Sequence, residues 1–236
     1  MTIRTNPYDQ PIGLAVPDWQ GCNMPPRIAM TGRHCIVEPI DAEKHARQLF
    51  DANLAALDDR RFTYLSTDAF DDFTTYRTWL VGMAAQNDPM LHAILDRASN
   101  TALGVAAFMR IDAPMGVVEV GHINYAPALA QTIAGTEAMY LMMKRAFDEL
   151  GYRRYEWKCD SLNEPSRAAA ARYGFRFEGI FRNALVYKGR NRDTAWFSII
   201  DTEWPGIKQA FETWLSPDNF DENGQQRQSL AALRTV

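Results

Sequence analysis

Apolar residues recur along this chain with two different periods. "RHCIVEPI" (33–40) is a short dense run that predicts a strand. "DAEKHARQLFDANLA" follows with helical spacing behind Asp41, a residue type suited to accept from the free amides of a helix start. "DAFDDFTTYRTWLVGMAAQ" predicts a second helix, with Phe73, Tyr76, Trp79, Leu80 and Met83 recurring at its period. After Asp88-Pro89, the runs "MLHAILD", "TALGVAAFMRID" and "GVVEVGHINY" are parted by turn residues and predict an antiparallel meander. Met139, Met142, Met143, Ala146, Phe147 and Leu150 then fall at i, i+3, i+4, i+7, i+8 and i+11, an amphipathic helix closed by Gly151.

In "RRYEWKCD" the period returns to two, putting Tyr155, Trp157 and Cys159 on one face and Glu156, Lys158 and Asp160 on the other. Asn163 caps a helix that carries Pro165 in its first turn and ends at Gly174. "FRFEGIFRNALVYK" and "TAWFSII" flank "GRNRD", predicting a long hairpin with a basic tip, and "WPGIKQAFETWL" predicts a closing helix. Residues 1–32 are proline-rich with few periodic apolar positions, which reads as an extended surface arm. Residues 216–236 read as a polar tail. The order β-α-α-β-β-β-α-β-α-β-β-α makes residues 33–215 one α/β (α+β) domain around a mixed sheet.

Composition narrows the function classes. The formal charge is −4, so no global basic field favours nucleic acid or an anionic membrane as partner. No apolar stretch approaches the roughly 20 residues of a membrane span, and the N-terminus lacks the apolar core of a signal peptide. Cys22, Cys35 and Cys159 are odd in number and unpatterned, which argues against a disulfide framework or a metal site and suits a reducing cytoplasm.

The candidate chemistry lies in "LAQTIAGTEAMYLMMKRAF" (129–147), a small-residue loop between a strand and a helix. A helix start offers unpartnered N–H groups and the positive end of the dipole, and small side chains let an anion reach them. The Walker and G-x-G-x-x-G patterns are both absent, which disfavours a nucleotide-binding protein. A plain strand-to-helix connection is the other reading.

"GHINYAP" and "GTEA" are followed by Asn163, Ser166, Gly174, Phe175, Glu178 and Gly179, spaced as N-x-x-S and then G-F-x-x-E-G. This succession, over about residues 33–204, resembles the GCN5-related N-acetyltransferases (GNAT), and within them the branch of the ribosomal-protein N-acetyltransferases. The resemblance implies a mostly antiparallel sheet whose middle strands splay, flanked by helices, with acetyl-CoA as co-substrate and no metal. It implies direct transfer of acetyl to a primary amine, on a peptide N-terminus or a small molecule. It places the pantetheine arm on the backbone of Ile123, Asn124 and Tyr125, with Asn163 and Ser166 on the facing helix. The pyrophosphate falls on amides of Gln131, Thr132, Ile133, Ala134, Gly135 and Thr136.

One departure is visible. Aligned through "TEA", the family loop Q/R-x-x-G-x-G/A falls on Ala130, Ile133 and Gly135, and only Gly135 fits. An alanine at 135 reads as tolerable if φ there is negative. Base candidates for the acceptor amine are Glu119 and His122, with Asp160 more plausibly a turn residue. Glu119 and His122 lie three apart on one strand, so alternation separates them unless Gly121 marks a bulge. The other readings are a half-buried sheet histidine for His122 and a pairing with an arginine for Glu119. The tyrosine that many relatives use as acid falls on Ala170, and Tyr173 reads as packed. Lys188, Arg190 and Arg192 read as a solvated tip. A non-catalytic CoA-binding sensor is the rival function, and a homodimer is compatible with the sequence.

Overall fold

The computed structural model describes residues 4–234. The proline-rich arm carries three two-residue strands, β1 (Arg4–Thr5), β2 (Pro11–Ile12) and β3 (Met30–Thr31). The domain then runs β4 (Cys35–Pro39), α1 (Ala42–Leu54), α2 (Phe73–Ala84), β5 (Met90–Asp96), β6 (Ala102–Asp112) and β7 (Val117–Tyr125). It continues with α3 (Ile133–Lys144), β8 (Arg154–Asp160), α4 (Glu164–Tyr173), β9 (Arg176–Tyr187), β10 (Arg190–Ile200) and α5 (Trp204–Trp214). This is the predicted element order, with two displaced boundaries. α2 begins later than the predicted segment, at the first residue of its apolar pattern, because the Asp72 carboxylate accepts from the Thr75 amide at 2.9 Å and sets the cap there. The hairpin turns at Lys188-Gly189, both with positive φ, so the "RNRD" expected at the tip is already strand.

Eight strands form one sheet in the order β3-β4-β5-β6-β7-β8-β10-β9. Every pairing is antiparallel except β7 with β8, which run parallel. On one face α1 and α2 bury Leu49, Phe50, Tyr76 and Leu80 against Leu91, Ala93, Leu95 and Val105. On the other, Met139, Met142 and Met143 of α3 and Phe211 of α5 close over Ile94, Phe108 and Tyr155. Each such large apolar side chain contributes about 1.5–3 kcal/mol by leaving water.

The arm is tied down through backbone rather than by burying a stripe of its own. The Trp19 indole donates to Pro114 O at 2.8 Å, and Tyr152 Oη donates to Asn23 O at 3.1 Å. Arg145, buried where α3 widens into a single π turn, donates to Ile28 O at 3.0 Å. At the other end of the chain, Leu230 is buried and the Arg234 guanidinium donates to Ala171 O at 2.8 Å.

β7 and β8 pair only from Val117–Val120 to Arg154–Trp157, and beyond that point they part. The cause lies on the other edge of β7. His122 and Ile123 together face Ala106 alone, a bulge with His122 at φ 48°, and a bulge bends and twists its strand. The gap this opens is the central feature of the molecule.

Candidate functional site

The splayed half of β7 runs from Gly121 to Tyr125. Glu119 sits just before it, 4% exposed, on the face where Gly121 and Met109 also lie. One of its oxygens, Oε2, is 2.9 Å from Lys158 Nζ and 3.5 Å from Arg110 Nε. These are ion-pair separations without hydrogen-bond alignment. Burial pushes the Glu119 carboxyl above its usual range, and the Lys158 and Arg110 cations oppose that shift. His122 lies on the bulge itself, half-buried, and burial lowers its pKa. Gly121, the expected bulge marker, pairs normally with Ala107, and the extra residue comes one place later. Glu119 and His122 thus flank the bend but do not hydrogen-bond each other.

Past the strand, Ala126 N donates to Leu103 O at 2.9 Å, and the loop turns sharply through Gln131 at φ 61°. Thr132 caps α3: its hydroxyl accepts from Gly135 N at 3.0 Å and donates to Leu129 O at 2.7 Å. Thr136 N is bonded to Thr132 O at 3.2 Å. The amides of Gly135 and Thr136 are therefore spent inside the cap. Those of Gln131, Ile133 and Ala134 have no partner among the described residues. Three free N–H groups at a helix start can seat an anion.

Gly135 serves a second purpose. A Cβ there would lie 2.7 Å from Leu129 O and 3.0 Å from the Tyr125 ring, whose hydroxyl donates to Gly135 O at 3.1 Å. The tolerance for alanine read from the sequence is corrected: φ is permissive, but a backbone carbonyl occupies the space.

Across the gap, the Asn163 side-chain oxygen accepts from Ser166 N at 3.2 Å as the cap of α4. Its amide nitrogen donates to no described residue. The Ser166 hydroxyl accepts from the Trp157 indole at 3.0 Å. Ile123 packs on the α3 side of the sheet, and Asn124 turns to α1, where it donates to Asn53 at 3.4 Å. Ala170 is fully buried, so α4 offers no hydroxyl at the family's acid position, and Tyr173 packs against Trp157 and Phe211. The Asp160 carboxylate accepts from Leu162 N at 2.9 Å and from Tyr187 Oη at 2.8 Å, a turn role with a tyrosine attached.

The basic tip is engaged rather than free: Lys188 is largely covered, whereas Arg190 stays exposed but bonded. Lys188 donates to Phe62 O at 2.7 Å and pairs with Asp68 at 2.8 Å, and Arg190 donates to Thr63 O at 2.6 Å. Tyr64 Oη donates to Leu162 O at 3.1 Å. The segment between α1 and α2 is thereby strapped to the hairpin and to the end of β8.

Two arrangements leave no trace in the sequence pattern. Glu137, the acid of "GTEA", accepts from the amides of Arg33, His34 and Cys35 at 2.8, 2.6 and 2.9 Å. Lys158 and Glu156 join Glu119, and Arg154 links Glu156 to Glu178. Alternation had put Glu156 and Lys158 on one face, but only strand order brings Glu119 beside them.

A mixed sheet that parts between two parallel strands, beside a helix start with free amides, is the arrangement that the resemblance to the acetyltransferases implies. Residues 35–176 match the acetyltransferase (GNAT) domain family, and the chain belongs to it. It is an acetyl-CoA-dependent acetyltransferase. A GCN5-related N-acetyltransferase from Brucella melitensis is 46% identical with a TM-score of 0.90, over 92% of this chain and 98% of that one. A probable GNAT-family acetyltransferase from Chromobacterium violaceum is 40% identical with a TM-score of 0.77, over 85% of this chain and 100% of that one. YdaF of Bacillus subtilis (strain 168), named as a ribosomal N-acetyltransferase, is 36% identical over 73 residues. That stretch is 31% of this chain and 40% of YdaF. Among the described residues no helix is long and apolar enough to cross a membrane.

Proposed function

We propose that this acetyltransferase moves acetyl to a primary amine by direct attack of the amine on acetyl-CoA. The observation that carries the reading is the β7–β8 gap lying directly before the free amides of Gln131, Ile133 and Ala134. Those amides hold the pyrophosphate, and the β7 edge that β8 leaves unpaired at Ile123, Asn124 and Tyr125 holds the pantetheine amides as an added strand would. The Asn163 amide reaches the arm from α4. Acetyl-CoA supplies the thioester. One ammonium and one thioester become one amide, one thiol and a released proton.

An alkyl ammonium with pKa about 10.4 is not a nucleophile, so a base must first take its proton. Glu119 takes that role, with His122 as the second candidate on the same bend. An N–H of the bulge near Ile123 is placed to stabilise the thioester oxygen as it gains charge. With Ala170 in the acid position, solvent protonates the thiolate. The three free thiols favour a reducing compartment such as the cytoplasm.

The buried Ala170 also favours a second reading, a CoA-binding sensor without turnover. One experiment separates the two. CoA should raise the melting temperature where ATP does not, and thiol release should follow with some member of an amine panel. Glu119→Gln or His122→Ala should then lower turnover about 10²-fold or more with CoA affinity kept. Stabilisation without thiol release from any amine selects the sensor, and no stabilisation at millimolar CoA removes both.

A further inference from the structure

Glu119 does not stand alone. Its Oε2 faces Lys158 Nζ at 2.9 Å, and the same ammonium is 2.6 Å from Glu156 Oε2 and 3.7 Å above the Trp196 ring. Both carboxylates and the ammonium are nearly sealed, with side chains 5–8% exposed. Arg154 then ties Glu156 at 2.6 Å and Glu178 at 2.6 Å, and Ser198 donates to Glu178 at 2.6 Å. The remaining charged group against Glu119 is Arg110, from β6, at 3.5 Å. The other oxygen, Oε1, faces Gly121, where a Cβ would lie 3.5 Å away. The bend in β7 begins there.

We propose that Lys158 is a positioning residue for Glu119, and that Glu156 opposes it by competing for the same ammonium, so that the pair sets the pH at which Glu119 accepts a proton. This rests on the reading of Glu119 as the base. Lys158 holds Oε2 and leaves Oε1 toward the gap. Without the ammonium, two buried carboxylates would lie side by side, and like charges raise each other's pKa. Without Glu156, the ammonium serves Glu119 alone, and Arg154 keeps only Glu178. The two changes damage the same cluster yet push Glu119 in opposite directions.

The test follows the Glu119 carboxyl carbon by NMR in the full chain with labelled glutamate, assigned with Glu119→Gln. Lys158→Met should raise the Glu119 midpoint by about one pH unit or more, Glu156→Gln should lower it, and Lys158→Arg should stay near the parent. With an amine of fixed pKa, the acidic limb of kcat/KM should move in the same directions. If Lys158→Met fails to fold, Glu156→Gln against Lys158→Arg still decides the sign. Midpoints that stay put, or that move together, overturn the proposal. Opposed midpoints with an unmoved acidic limb leave the clamp standing and remove Glu119 as the base.

Discussion

Gly135 and Gly82 both lie in helices, yet a methyl group would meet different surroundings at each. At Gly135 it would strike the Leu129 carbonyl at 2.7 Å, an atom that also accepts the Thr132 hydroxyl and cannot retreat cheaply. At Gly82, exposed on α2, it would meet nothing within 4 Å. Alanine improves helix propensity by about 1 kcal/mol at either site, while overpacking costs about 1–3 kcal/mol. Gly135→Ala should therefore destabilise by up to about 2 kcal/mol and Gly82→Ala should stabilise by about 0.5–1 kcal/mol, read from urea unfolding. A Gly135→Ala protein as stable as the parent would show that the loop yields freely. The phosphate-binding pattern and the packing constraint thus fall on one residue for separate reasons.

At the scale of elements, α3 is held to the start of the sheet by one carboxylate. Glu137 projects from α3 into the turn before β4 and takes three consecutive backbone amides, and a Cβ on Gly32 would overlap that carboxylate at 2.3 Å. Each amide left without a partner away from water costs about 1–3 kcal/mol, so Glu137→Ala should cost about 3 kcal/mol or more. Hydrogen exchange at residues 33–35 should accelerate with it; unchanged exchange there would mean that water replaces the carboxylate. The elements themselves were legible because each carries its own period: β5 coincides with "MLHAILD", and the methionines of α3 fall on its buried side. The cap at Asn163 was legible for the same reason, since Ser166 N lies within three residues of it. The strap between hairpin tip and the α1–α2 segment was not, because Lys188 meets Phe62 across 126 residues and leaves no periodic trace. The bulge was anticipated at Gly121 and occurs at His122, a residue whose left-handed φ is imposed by the strands around it. Glu119 beside Lys158 required the strand order, which the elements alone do not dictate.

For the molecule as a whole, acid should act first through His92. It lies fully buried on β5, with Nδ1 against Met90 O at 3.0 Å, its ring edge-on to Phe108, and Nε2 without a partner. Burial holds its pKa down to about 4, and the nearby Arg145 and Arg27 cations push the same way. A free histidine titrates near 6.5, so the unfolded chain gains its proton first as pH falls. Stability from the neutral ring is thus complete above about pH 6.5 and drains between there and about pH 4, at up to roughly 1.4 kcal/mol per unit. His45, also buried and lowered by burial, adds to the loss, whereas Glu119, raised by burial, works against it as its carboxyl is protonated. His92→Leu and His92→Gln both remove the titrating ring, and the glutamine keeps a donor for Met90 O. Each should flatten the fall in unfolding free energy between pH 6.5 and 4 by about 2 kcal/mol or more, whatever its stability at pH 7. Urea titrations at half-unit steps would measure it, and two variants that keep the parent slope would show that the ring finds a partner for its proton inside the fold.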